Sequence, residues 1–126
     1  MKRWIGLAVM GTAVLHTIVG LIFATQPLLD VLNAGVFNAV DSQFDRMAAI
    51  WFLLFGVLLF LLGMFVQWAL QATGTLPASV GWGVLIMCVV GVILMPVSGF
   101  WLGIIEAIIM LRIAYQADEV SGITAV

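Results

Sequence analysis

A chain of 126 residues is long enough for one domain, but only 8% of this one is charged while 65% is hydrophobic, and its mean hydropathy is +1.30. Soluble domains carry about 25% charged residues, so most of this surface must face lipid instead of water. A net charge of −2 without a basic cluster excludes nucleic acid as a partner, and a single cysteine excludes an internal disulfide and a cysteine-based metal cluster.

Four apolar segments have roughly the 20 residues that a helix needs to cross a bilayer. They cover residues of about 4–24, 47–70, 78–95 and 99–114. The first is longer than the apolar part of an ordinary signal peptide, so we expect it to remain as a span. The sequence predicts one transmembrane domain over residues 1–126, an all-α integral membrane four-helix bundle that runs up, down, up and down through the lipid bilayer.

One sizeable loop, residues 25–45, separates the first two spans. Its apolar residues recur at roughly helical spacing, with Asp and Asn between them: Leu28, Leu29, Leu32, Val36 and Val40. This pattern predicts an amphipathic segment that lies on the membrane surface or caps the bundle, with Gly35 as the place where a helix would break.

Positive charges predict the orientation of the chain. Lys2 and Arg3 precede the first span and Arg112 ends the fourth, and four spans put both ends on one side. Positively charged flanks favour the cytoplasm. We therefore expect a multi-pass protein of the bacterial inner (plasma) membrane with both termini cytoplasmic. Arg46 would lie at the outer edge of the second span.

Small residues recur at heptad-like spacing in every span, a pattern that lets helices pack closely in lipid. The glycines predicted at helix contacts are Gly20, Gly56, Gly63, Gly91, Gly99 and Gly103, the last two forming a GxxxG pair. The pattern does not tell a neighbouring helix of the same chain from one of a second copy, so a homo-oligomer stays open.

Two ionisable residues lie inside predicted spans at similar depth. His16 and Glu106 both fall roughly 10–12 Å below the outer interface, at about 1.5 Å per residue. A charged group at the bilayer centre costs about 2.5–3.5 kcal/mol on insertion scales, and a hydrogen-bonding partner lowers that cost. We expect His16 to be the partner of Glu106, since it is the only histidine of the chain.

Further residues complete the predicted site. Thr12 or Thr17 could orient the imidazole. Arg46 and Trp51 lie near the outer mouth, and Arg46 is a second candidate partner for Glu106. One histidine and one glutamate are too few ligands for a metal site, and no nucleotide-binding or hydrolase motif occurs, so we expect neither metal nor cofactor. The histidine–glutamate pair can hold two helices in register, bind a ligand, or belong to a proton path.

Three stretches of the chain resemble a known kind of protein. "GTAVLHTIVG" in the first span, "IWFLLFGVLLFLLG" in the second and "LMPVSGFWLGI" at the last hairpin are similar to an uncharacterised family of small four-span bacterial membrane proteins, loosely DoxX-like. The resemblance implies four helices in a bacterial inner membrane. It carries over no catalytic residue.

The leading functional hypothesis is a non-catalytic membrane protein that binds a hydrophobic small molecule or lipid, with His16 and Glu106 as the polar contact. A first alternative is an intramembrane enzyme of isomerase type, in which Glu106 acts as a buried acid or base on a lipophilic substrate. A second alternative is an assembly or accessory subunit that packs against other helices through its GxxxG-type faces.

Overall fold

The computed structural model describes the backbone of residues 4–124 and the side chains of residues 4–117. The described chain is all-α, without strands, and has five helices. These are α1 (Ile5–Phe23), α2 (Thr25–Asn33), α3 (Phe44–Thr73), α4 (Ala78–Leu94) and α5 (Phe100–Thr124). The predicted fold class is therefore confirmed at the level of an all-α protein.

Three of these helices are long and apolar enough to cross a membrane: α1, α3 and the Phe100–Ala117 part of α5. The fourth apolar helix, α4, has 17 residues. At about 1.5 Å per residue it is about 26 Å long, somewhat less than the ~30 Å of a typical hydrocarbon core. Membrane-type helices are thus confirmed, while the fourth span stays a prediction.

The long helices form two antiparallel pairs. α1 packs along α3 and α4 packs along α5, and a smaller contact between α1 and α5 joins the pairs. α3 and α4 are connected by the short turn of residues 74–77, yet they have little direct contact. The bundle is therefore open along the side where α3 and α4 would meet.

Glycines let α1 and α3 approach backbone to backbone. A Cβ atom added at Gly6 would lie 2.5 Å from the Cβ of Gln67 and 2.6 Å from its backbone nitrogen. One added at Gly63 would lie 2.8 Å from the backbone nitrogen of Met10. Since lipid supplies no hydrophobic force between helices, this close van der Waals packing is what holds the pair together.

The large buried side chains gather at one end of the bundle, which we call the core end. There α1 begins, α3 ends and α4 begins, and the cluster contains Ile5, Val9, Val66, Ala69, Leu70, Leu76, Met110 and Ile113. The opposite end, the hairpin end, holds the turn between α4 and α5. Its buried positions are small residues, among them Ala13, Gly20, Ala49, Gly56, Cys88 and Gly91. Large side chains therefore fill only one half of the interior.

The predicted amphipathic segment is helical over α2 alone. The helix ends at Asn33, before Gly35, whose φ is +87°. Residues Val36, Asn38 and Asp41 also have positive φ, which is rare for a β-branched residue such as Val36 and marks a strained turn. The loop that follows α2 is thus an irregular connection and not a continued helix.

Candidate functional site

Glu106 is the one buried charged side chain in the described part of the chain, with 8% of its surface exposed. Its Oε1 accepts a hydrogen bond of 2.6 Å from the Thr12 hydroxyl. The bond joins the second turn of α5 to the middle of α1. A buried carboxyl group is costly in a membrane, and the Thr12 hydroxyl is its one hydrogen-bond donor among the described residues.

His16 makes a different contact from the one expected. Its Nε2 lies 2.9 Å from the carbonyl oxygen of Phe52 on α3. The imidazole stacks on the Phe52 ring at a centroid distance of 3.9 Å and meets the Phe55 ring edge-on at 5.4 Å. Because a carbonyl only accepts, Nε2 must carry the proton. His16 therefore ties α1 to α3, while Glu106 has Thr12 as its partner.

The difference arises from the register of α1 against α5. Thr12 and His16 are four residues apart and lie on neighbouring positions of one helix face. The structure aligns Glu106 with Thr12, one helical turn further from the hairpin end than His16. Equal counting from the predicted span ends assumes that helix ends are level, and here they are not.

The other predicted site residues lie away from Glu106. The Arg46 guanidinium donates to the carbonyl of Ala39 at 2.8 Å and so closes the loop before α3. The Thr17 hydroxyl donates to Ala13 in its own helix at 3.0 Å. Trp51 is 64% exposed on the outside of α3. Neither of these two hydrogen bonds, nor the exposed position of Trp51, brings the side chain concerned to the Glu106 carboxyl group.

Cys88 of α4 covers the Glu106 side of α5. A Cβ atom added at Gly103 would lie 2.5 Å from the Cys88 sulfur, so the thiol fills the space above this glycine. Gly103 and Glu106 are three residues apart and share a face of α5. The carboxyl group therefore lies on the part of α5 that contacts α1 through Thr12 and α4 through Cys88.

The predicted packing glycines differ in their surroundings. A Cβ added at Gly20 would meet the Phe52 ring, at Gly56 the Thr17 hydroxyl, and at Gly91 the Phe100 ring, each within 2.7 Å. Gly63 and Gly103 lie against Met10 and Cys88. No described residue lies within 4 Å of a Cβ added at Gly99, so among the described residues only the second glycine of the GxxxG pair is at a contact.

Two apolar grooves open on the outside of the bundle. One, of about 280 Å³, lies between α1 and α3 beside Ala13, Thr17 and Gly56. The other, of about 450 Å³, lies at the core end between α3 and the α4–α5 pair, beside Trp68 and Leu76. Within the described residues no three His, Cys, Asp or Glu side chains gather as metal ligands.

Thr12 was expected only as a possible partner of His16, and the structure places it on Glu106 instead. A hydroxyl four residues before His16 is a usable signal, because Thr and Ser side chains often donate across packed helices in lipid. Whether Thr12 or His16 meets Glu106 depends on the register of α1 against α5, which the sequence alone does not specify.

Comparisons with known proteins give one match. No curated protein and no solved structure matches the chain. Residues 1–117 match a family model described as a family of unknown function, DUF6463. The match covers well over half of the chain, and the protein therefore belongs to the DUF6463 family.

Proposed function

We propose that this protein is a four-span membrane protein that binds a hydrophobic small molecule or a lipid, with Glu106 and Thr12 as the polar contact inside the bundle. His16 takes a supporting part by fixing α1 against α3. The observation that supports this proposal is the buried Glu106 carboxyl group, whose one hydrogen-bond partner among the described residues is the neutral hydroxyl of Thr12.

The energetics argue against a purely structural role for Glu106. Insertion of a carboxylate near the bilayer centre costs about 2.5–3.5 kcal/mol. Hydrogen bonds between membrane helices return about 0.6 kcal/mol on average and about 1.7 kcal/mol at most in measured cycles. An apolar residue at position 106 would therefore hold α5 against α1 at lower cost. A costly ionisable group inside a membrane helix is by default a functional one.

The open side of the bundle supports access for such a ligand. α3 and α4 have little contact, and the buried positions at the hairpin end are mostly small. A hydrophobic molecule dissolved in lipid could enter sideways between these two helices, without passing through water.

The proposal includes four spans with both termini in the cytoplasm of a bacterium, so that the core end faces inward. At that end Trp82 Nε1 donates to the Tyr115 hydroxyl at 3.1 Å, which joins the start of α4 to α5. Indole and phenol groups favour the membrane interface, so this pair supports a bilayer boundary at the level of Trp82. A 17-residue α4 would then span a thin or locally thinned bilayer.

An assembly role is the second candidate, and one observation favours it. In the described part of the chain nothing lies within 4 Å of a Cβ added at Gly11 or Gly83, and both glycines are exposed on the outside of their helices. Exposed glycines on lipid-facing surfaces suit close contact with another helix. An enzymatic role would require Glu106 to exchange a proton with a bound substrate, and it shares the first test below.

Native mass spectrometry of protein released in mild detergent tests the proposal. We expect a stoichiometric small-molecule or lipid adduct on the unmodified protein and on Gly11→Ala, and its loss from Glu106→Gln. Gln keeps an acceptor for Thr12 and the shape of the side chain, so the helical fold, checked by circular dichroism, is expected to persist. An adduct that survives in a folded Glu106→Gln protein contradicts the proposed site, and so does the absence of any adduct.

A further inference from the structure

We propose that Arg112 and Tyr115 form a binding site for the phosphate group of an anionic phospholipid on the lipid-facing surface of the α4–α5 pair. The site lies at the core end and is separate from Glu106, so the inference goes beyond the proposed function. It shares with that proposal the bilayer boundary at the level of Trp82.

Arg112 is a cation without a counter-ion among the described side chains. Arg46, the other arginine whose side chain the structure describes, donates to the Ala39 carbonyl. Arg112 is exposed on α5, and no described residue accepts a hydrogen bond from its guanidinium group. Of the described carboxyl groups, Glu106 is buried, and the other three lie at the hairpin end: Asp30, Asp41 and Asp45. The described side chains therefore make the exposed surface of the core end positive.

Tyr115 supplies a second hydrogen-bond donor beside Arg112. The two residues are three positions apart and share a face of α5, where Cβ atoms lie about 5–6 Å from each other. Trp82 Nε1 donates to the Tyr115 hydroxyl at 3.1 Å, so the phenol oxygen accepts this bond and keeps its own proton for another acceptor. Because Tyr115 is 50% exposed, that acceptor can approach from outside the bundle. A guanidinium and a hydroxyl at this spacing suit the oxygen atoms of one phosphate group.

The depth of the site selects a lipid as the source of the phosphate. Arg112 lies three residues, or about 4.5 Å, below the level of Tyr115 and Trp82 along α5. A guanidinium that faces hydrocarbon is costly, and arginine avoids this cost by extending its apolar stem until the charge reaches the head groups. Deeper on the same face of α5 lie two exposed apolar side chains, Ile108 and Ile105. An acyl chain along these isoleucines brings its own phosphate to the level of Arg112.

The unpaired charge of Arg112 selects an anionic lipid over a zwitterionic one. A zwitterionic head group carries its own cation beside the phosphate, so its net charge is zero and it gains less from a single guanidinium. An arginine near the membrane surface gives a preference for anionic lipid of about fivefold, the equivalent of about 1 kcal/mol.

Quenching of tryptophan fluorescence by phospholipids with brominated acyl chains tests the inference in vesicles, where lipids exchange freely around the protein. The chain has five tryptophans, and the reporter protein keeps Trp82 while the four others, all exposed, are changed: Trp4→Phe, Trp51→Phe, Trp68→Phe and Trp101→Phe. A second reporter keeps Trp101 alone, at the hairpin end. We expect brominated phosphatidylglycerol to quench Trp82 with about fivefold higher relative affinity than phosphatidylcholine with the same brominated chains, and Trp101 without this preference.

Variants of the Trp82 reporter, each checked for helical fold by circular dichroism, assign the preference to its residues. Arg112→Gln should abolish the preference, whereas Arg112→Lys keeps the charge and should retain most of it. Tyr115→Phe removes one hydrogen bond and should lower the preference about twofold. Arg46→Gln removes the same charge at the hairpin end and is the matched control, so it should leave the preference unchanged.

Three results would overturn the inference. They are equal quenching of Trp82 by the two lipids, a preference that survives in folded Arg112→Gln, and a preference of the same size at Trp101, which would show a general attraction of anionic lipid instead of a site. Glu106→Gln should keep the preference at Trp82, so the outcome is independent of the proposed ligand site.

Discussion

Gly6 offers the sharpest test of how α1 and α3 are held together. A methyl group at this position would lie 2.5 Å from the Cβ, 2.6 Å from the nitrogen and 2.7 Å from the Cα of Gln67. None of these atoms can turn away by a change of rotamer, since two belong to the backbone of α3. Carbon atoms pack at about 3.5–4.0 Å, so the two helix backbones must separate by about 1 Å at this point.

Overpacking of this kind typically costs about 1–3 kcal/mol, and the separation also loosens the neighbouring contact between Gly63 and Met10. We expect Gly6→Ala to lower the free energy of unfolding by this amount relative to Gly11→Ala. The control changes the same residue type in the same helix, where nothing lies within 4 Å of the new atom. Any gain in helix propensity is thus shared by both variants, and the difference reports the contact.

The measurement is reversible unfolding of the purified protein in mixed micelles by rising SDS content, followed by tryptophan fluorescence and circular dichroism. Midpoints for Gly6→Ala and Gly11→Ala that both equal the midpoint of the unmodified protein would refute direct backbone contact between α1 and α3. A lower midpoint for both variants would show instead that Gly11 also lies at a contact, for example with a second copy of the chain.

Three further changes give graded outcomes. Thr12→Val should lower the free energy of unfolding by about 0.6–1.7 kcal/mol through loss of the bond to Glu106, and Thr12→Ser should restore most of it in the same SDS titration. Gly91→Ala should lower the free energy of unfolding by less than Gly6→Ala does, because the new methyl group meets the Phe100 ring, which can shift. Gly83→Ala should leave the free energy of unfolding unchanged. Equal values for Gly91→Ala and Gly83→Ala would contradict the α4–α5 contact. Arg46→Met should free the loop carbonyl that it binds, with hydrogen exchange and proteolysis faster in residues 34–43 and unchanged in the long helices.

The helices themselves could be predicted from the sequence because long apolar runs and turn residues mark them directly. The run from Met47 to Leu70 extends in the structure by three residues at each end, to Phe44 and Thr73. These added turns carry polar residues that hydropathy cannot assign to a helix. The turn at Gly74 ends α3 in the left-handed conformation (φ +76°), which a glycine adopts without strain.

The contacts between helices were harder to predict, since they depend on register and on which helices are neighbours. Gly56 and Gly63 lie against α1, on the face that their seven-residue spacing indicated. The pairing of Glu106 with Thr12 instead of His16 required a shift of one turn that no local pattern encodes. The weak contact between α3 and α4 also runs against the expectation that helices joined by a short turn are neighbours.

The one-sided core has a mechanical consequence. Leu76 lies in the turn between α3 and α4, is 3% exposed and packs into the cluster at the core end, so this turn is anchored. The two helix pairs are thereby hinged at the core end, whereas the small buried residues of the hairpin end lie at contacts within each pair, as Gly20 does against Phe52 and Gly91 against Phe100. A rotation of one pair about this hinge would spread the hairpin end and leave the large buried side chains in place. Such a rotation would open the hairpin end toward lipid without unfolding of the helices.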